Sequence, residues 1–121
     1  MTTKKKQEIK GFVLGALRRA SYRWMPRYET LRAARLERGL YLCQMPDCGQ
    51  IVKKAGIQMD HVDPVVPIEG FGEKGWDWDV IVNRMFPPLS GWMALCKDCH
   101  SEKTKLENER RKEVRAKNKK P

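Results

Sequence analysis

Long apolar runs are missing from this sequence. None approaches the about 18 consecutive residues that a membrane-spanning helix needs, and the stretch that follows the basic Met1–Lys10 start is broken by Arg18 and Arg19. That start also lacks the extended apolar region and small-residue cleavage site of a secretory signal, so neither a membrane-spanning nor a secreted protein is expected. No internal repeat is present, and a repeat-built architecture is not expected either. Histidine occurs only twice and cysteine only four times in 121 residues. Those six side chains therefore carry most of the chemistry that the chain can offer at neutral pH.

What is there fits one small domain, or a smaller one with tails. Apolar residues make up 40% and charged residues 33%. A core of that size usually needs a staple such as a metal or a disulfide. The formal net charge of +10 is unevenly spread: residues 1–42 carry +8, residues 43–100 carry −3 and residues 101–121 carry +5. Two basic arms flank a mildly acidic, cysteine-bearing middle. A polyanion is the natural partner for such a pattern, nucleic acid being the commonest. A basic surface with no dedicated partner is the plainer alternative.

Periodicity predicts a helix from Glu8, with residues 1–6 frayed and Ile9, Phe12, Val13, Ala16, Leu17, Ala20 and Trp24 as its apolar stripe. Pro26 ends or kinks it. A second helix is expected over Arg27–Arg38, with Gly39 as its C-cap and Trp24 packed against it. Short strands are expected at Gln50–Lys54 and Ile57–Val62, and a buried helix over Trp76–Phe86, stopped by Pro87 and Pro88. Trp76, Trp78 and Trp92 read as a small core around the Pro64–Phe86 loop rather than as base-stacking platforms. From His100 to Lys120, Glu and Lys/Arg recur at helical spacing, which predicts a long, solvated helix.

The cysteines fall as Cys43-x4-Cys48 and, well downstream, Cys96-x2-Cys99. Two close pairs on short turns are the pattern of a structural Zn²⁺ site, in which one ion pins two distant segments. Two disulfides or four free thiols are the alternatives. The first is disfavoured by the missing secretion signal and a reducing cytosol, the second by the close pairing. His61 follows Asp60 in a strand-like segment, and His100 directly follows Cys99, where a helix begins. Each histidine alone has a structural reading. Together, Asp and His suit a second divalent cation, while the remaining histidine could activate a water.

The string Cys43-x4-Cys48-Gly49, then Met59-Asp60-His61-Val62-Asp63-Pro64, then Leu95-Cys96-Lys97-Asp98-Cys99-His100-Ser101-Glu102-Lys103-Thr104 resembles the HNH endonuclease pattern, above all that of small HNH endonucleases of tailed bacteriophages. The Leu17–Arg27 flank, the Pro67-x-x-Gly70-Phe71 stretch and the Trp78-Asp79 stretch are similar too, so the resemblance spans about residues 12–112. It implies an α+β fold: a zinc-stapled ββα-metal (treble-clef-like) domain over residues 40–108, preceded by a basic helical arm (1–39) and followed by a charged helix whose basic tail covers 109–121.

The resemblance further implies hydrolysis of DNA phosphodiesters by nicking or double-strand cleavage, leaving 5′-phosphate and 3′-hydroxyl ends. His61 would be the general base. Asp60 and His100 would hold Mg²⁺ or another catalytic divalent cation, and Cys43, Cys48, Cys96 and Cys99 the structural Zn²⁺. Arg18, Arg19 and Arg23 would track phosphates, and Lys103 would reach a phosphate or cap its helix. The setting would be the cytoplasm of an infected bacterial host, with packaging or replication proteins as possible neighbours. One position departs from the pattern: Gly91 stands where the family has its middle Asn, a residue described as holding the loop between the two strands, and Asn83 is too far into its helix to replace it. The alternative is a non-catalytic zinc module that keeps the frame and binds nucleic acid or protein.

Overall fold

Thr2 sets the start of the first helix. Its side-chain oxygen accepts the Lys5 backbone N–H at 3.1 Å, and α1 runs Thr3–Ser21, so the lysine run is helical rather than frayed. The computed structural model describes residues 1–119. The buried stripe of α1 is rotated from the expected one. Leu14 and Leu17 pack inward, whereas Phe12 is 75% exposed and Ile9 41%. The reason is tertiary: α1 docks on a later helix, and Lys10 Nζ sits 4.3 Å above the Trp76 ring, which closes that side of the stripe with a cation–π contact.

α2 (Met25–Ala34) is shorter than expected and carries Pro26 in its first turn, where a missing N–H costs nothing. Trp24 does not pack on α2. Its indole N–H donates to the Pro87 carbonyl at 2.7 Å and its ring meets Phe86 edge-on. Beyond Ala34 the chain turns into β1 (Arg35–Glu37), which pairs antiparallel with β2 (Leu40–Leu42), itself paired with β3 (Ile51–Lys53). Gly39, at φ +81°, therefore serves a hairpin turn and not a helix cap.

A second antiparallel sheet pairs β4 (Ile57–His61) with β5 (Trp92–Cys96), in a register that sets Asp60 opposite Met93 and His61 opposite Trp92. Between them, α3 (Trp78–Met85) starts after Asp77, whose carboxylate accepts the Asp79 and Val80 N–H groups. Directly after β5, α4 runs Lys97–Asn118. The described residues thus form a small α+β structure of four helices and two antiparallel sheets, and none of its helices is long and apolar enough to cross a membrane.

Burial is split among three small clusters rather than one core. Ala34, Tyr41 and Ala94 make one; Cys43, Leu95 and Cys96 a second; Val65, Ile81 and Met85 a third, joined by Leu14 and Leu17 of α1. The two leading helices belong to this packing: α2 lies on β5, and α1 on α3. The expected boundary at 108/109 falls inside α4, which passes through it unbroken.

Gly91 is fixed by packing. A Cβ built there would overlap Pro87 Cβ and lie 2.9 Å from Pro87 Cγ. Its carbonyl accepts the Val62 N–H at 2.9 Å, and its own N–H donates to the Pro88 carbonyl at 2.9 Å. This tight turn extends the β4–β5 pairing by one bond beyond His61. Replacing Gly91 by Asn is expected to destabilise the fold by about 1–3 kcal/mol, the usual cost of overpacking. Denaturant unfolding measures it, and an unchanged midpoint would refute the packing account.

Candidate functional site

The Cys43–Cys48 turn reaches β5 through one residue. Gln44 donates its backbone N–H to the Ala94 carbonyl at 2.8 Å and accepts the Ala94 N–H on its side-chain oxygen, also at 2.8 Å. Those two bonds lay the turn along β5. Within it, Asp47 (φ 67°) and Gly49 (φ 68°) take left-handed conformations that fold the chain back, and the Cys43 N–H donates to the Gln50 carbonyl. Cys96 closes β5 and Cys99 lies in the first turn of α4. As a result, the four Sγ atoms all lie within 4.8 Å of one another.

The spacing is that of ligands and not of disulfides. Cys48 and Cys96 Sγ are 3.9 Å apart and all four cysteines are unbridged, whereas a disulfide needs about 2.05 Å. A tetrahedral ion with Zn–S bonds of about 2.3 Å separates its sulfurs by about 3.8 Å. Hydrogen bonding to Cys48 chiefly, then burial and the other two thiols, holds the Cys99 thiol well above its ordinary range. A bound cation reverses that balance by favouring the thiolates. The cluster can therefore hold a metal ion such as zinc.

The histidine site adjoins it. On α4, the His100 imidazole Nε2 lies 3.8 Å from Asp60 Oδ1 of β4. Lys103, one turn further on, brings its ammonium to 2.8 Å from Asp60 Oδ2, to 3.0 Å from the His61 carbonyl oxygen, and onto the Glu107 carboxylate. Burial pulls the Lys103 pKa down, but the two carboxylates outweigh it and hold it above the ordinary lysine value. Lys103 thus faces inward.

His61 is held from the other side. Its Nε2 is 3.1 Å from the carbonyl oxygen of Met85, at the end of α3. A carbonyl can only accept, so Nε2 carries the proton and Nδ1 keeps its lone pair. The ring lies against Trp92, with centroids 4.2 Å apart. Burial lowers the pKa of His61; the Met85 bond and Asp60 oppose that, and the positive charges of Arg18 and Lys103 reinforce it. The balance favours the neutral imidazole.

Asp60, His61, His100 and Lys103 are brought together, and Arg18 lies near enough for its charge to act on His61. Arg19 and Arg23 are exposed on and just after α1. Met85, Trp92 and Glu107 have no counterpart in the sequence reading of the site. Met85 contributes a backbone carbonyl, which leaves no trace in sequence, and Trp92 read as core. Glu107, four residues after Lys103, matches a helical ion-pair spacing and is the one that pattern could have flagged. Trp92 is 5% exposed, and its indole N–H has no hydrogen-bond partner.

No protein-family model, curated protein or solved structure matches the chain at a significant level.

If the four cysteines hold one structural Zn²⁺, purified protein is expected to contain about one zinc per chain. Strong chelation and Cys96→Ser should each unfold much of the domain, because metal binding and folding are then one equilibrium. Metal analysis and a thermal melt test this; a zinc-free protein with an unchanged melt would exclude the site.

Proposed function

We propose that this protein is a metal-dependent DNA endonuclease of the HNH type. The observation that carries the reading is the meeting of Asp60 of β4 with His100 of α4, one residue past the four-cysteine cluster, with His61 next to Asp60 on the same strand. Two strands followed by a helix, tied at the strand–helix junction by a metal, are the frame that the resemblance implies. Asp60 Oδ1 and His100 Nε2, 3.8 Å apart, come within reach of one ion on a small side-chain adjustment. Asp60 and His100 would hold Mg²⁺ or another divalent cation. A cation there supplies charge stabilisation to a phosphate and its leaving oxygen.

The chain's own part is the proton. Nδ1 of His61 is the atom that accepts it from a water, because Nε2–H is committed to Met85. Trp92 fixes the plane of the ring, and burial with nearby positive charge keeps it unprotonated before the reaction. After transfer, Asp60 and the Met85 carbonyl favour the imidazolium. The Gly91 turn is compatible with this reading: its carbonyl accepts the Val62 N–H and holds the end of β4 beside β5 without a side chain.

A second reading, a non-catalytic zinc module that binds nucleic acid or protein, draws on one observation. Asp60 already has an ammonium counter-ion in Lys103.

Plasmid incubated with Mg²⁺ or Mn²⁺ separates the two. His61→Ala should keep the zinc and the fold yet lower cleavage about 10²–10⁴-fold, the usual worth of a general base. Asp60→Ala and His100→Ala should be partly rescued by excess metal, and His61→Ala should not. A wild type that never cuts with any divalent ion would leave the binding module as the answer.

Binding rests on separate residues. Arg18, Arg19 and Arg23 are exposed on and just after α1, and the charge of Arg18 acts on His61. Their joint replacement by Gln should flatten the salt dependence of duplex binding by about 0.9 in log–log slope for each phosphate that is no longer neutralised. An unchanged slope would remove α1 from the DNA interface.

A further inference from the structure

The Lys103 ammonium has three N–H donors. Three oxygens surround it: Asp60 Oδ2 at 2.8 Å, the His61 carbonyl at 3.0 Å and the Glu107 carboxylate. The side chain is only 17% exposed. No donor is left for a phosphate, which is the role that its place in the motif would give it. The consequence falls on Asp60. The ammonium's positive charge sits against Oδ2 and repels a cation there, while Oδ1 faces His100 Nε2, 3.8 Å away.

We propose that Lys103 is a positioning residue that limits Asp60 to offering a cation one oxygen. The inference rests on the reading of Asp60 and His100 as cation ligands. A carboxylate held this way suits a small ion with a strict octahedral shell that keeps several waters, such as Mg²⁺ or Mn²⁺. It penalises Ca²⁺, whose larger shell readily takes both oxygens of one carboxylate. The same ammonium holds the His61 carbonyl, so α4 places the strand that carries the base and sets the denticity of the ligand beside it. Lys103 thereby makes the site selective for the smaller ions.

The test is a binding measurement on zinc-loaded protein. Mn²⁺ is titrated with free-ion electron paramagnetic resonance and Ca²⁺ by calorimetry, with Asp60→Asn marking which signal belongs to this site. Loss of the ammonium's charge raises affinity for every divalent ion, and the Mn²⁺-to-Ca²⁺ affinity ratio cancels that common gain. Lys103→Met is expected to lower the ratio by about tenfold, at the low end of what partners orienting metal ligands contribute. Glu107→Gln, which leaves the ammonium on Asp60, should keep the ratio near wild type. Where Lys103→Met loses zinc or its cooperative melt, Lys103→Gln is read the same way. An unchanged ratio overturns the inference while the endonuclease reading stands. So does weakened, less salt-sensitive duplex binding at an unchanged ratio, which would make Lys103 a phosphate contact. A wild type that binds no Mn²⁺ at Asp60 removes the ligand reading and the inference with it.

Discussion

Four sulfurs brought within 4.8 Å of one another impose the constraint on which the remaining structure depends. As thiols they crowd, and as thiolates without a cation they repel. One divalent ion there would turn this local conflict into a tie between two segments about fifty residues apart. Cys96 is the pivot, because it ends β5 and precedes the first turn of α4. Fixing its sulfur fixes the angle at which α4 leaves the sheet, and with it the position of His100 and Lys103 relative to β4. A chain whose buried residues are divided among three small clusters has few other means of holding that angle.

The histidine site is then assembled from two sides. From α4 come His100 and Lys103, which meet the side chain of Asp60; Lys103 also holds the backbone of His61 and is itself paired with Glu107. From α3 and β5 come the Met85 carbonyl and the Trp92 ring, which meet the imidazole. Asp60 and His61 are adjacent on one strand, and the pleat sends their side chains to different neighbours. One strand can therefore serve two functions without the side chains competing for partners.

Much of this was legible in the sequence. The paired cysteines announce a metal tetrahedron because their spacing is local and the chemistry of thiolates is narrow; the four side chains do cluster. The strand at Ile57 and the helices around α1, α3 and α4 follow from periodicity and capping residues. What was hidden is tertiary. The strand at Arg35–Glu37 sits where propensity favours continued helix, and only pairing with β2 overrides it. Phe12 belongs to the expected stripe but faces solvent, because α3 meets α1 on the Leu14–Leu17 side. Lys103 read as a phosphate contact or a helix cap by its place after His100; two carboxylates distant in sequence from each other turn it inward. The Met85 carbonyl had no sequence signal at all.

The contact between Gly91 and Pro87 has a consequence for how this sequence can change. The closest clash of a Cβ at position 91 is with Pro87 Cβ, an atom that every residue but glycine shares, so exchanging the proline ring for another side chain does not by itself open the space. Pro87 is in turn anchored through its carbonyl by the Trp24 indole. A single substitution that introduces asparagine at position 91 meets the ring before it can supply any new hydrogen bond. Making room takes a shift of the backbone at position 87, or glycine there. The two positions are therefore coupled: the effect of a substitution at position 91 depends on the backbone at position 87, and changes at the two sites are not additive.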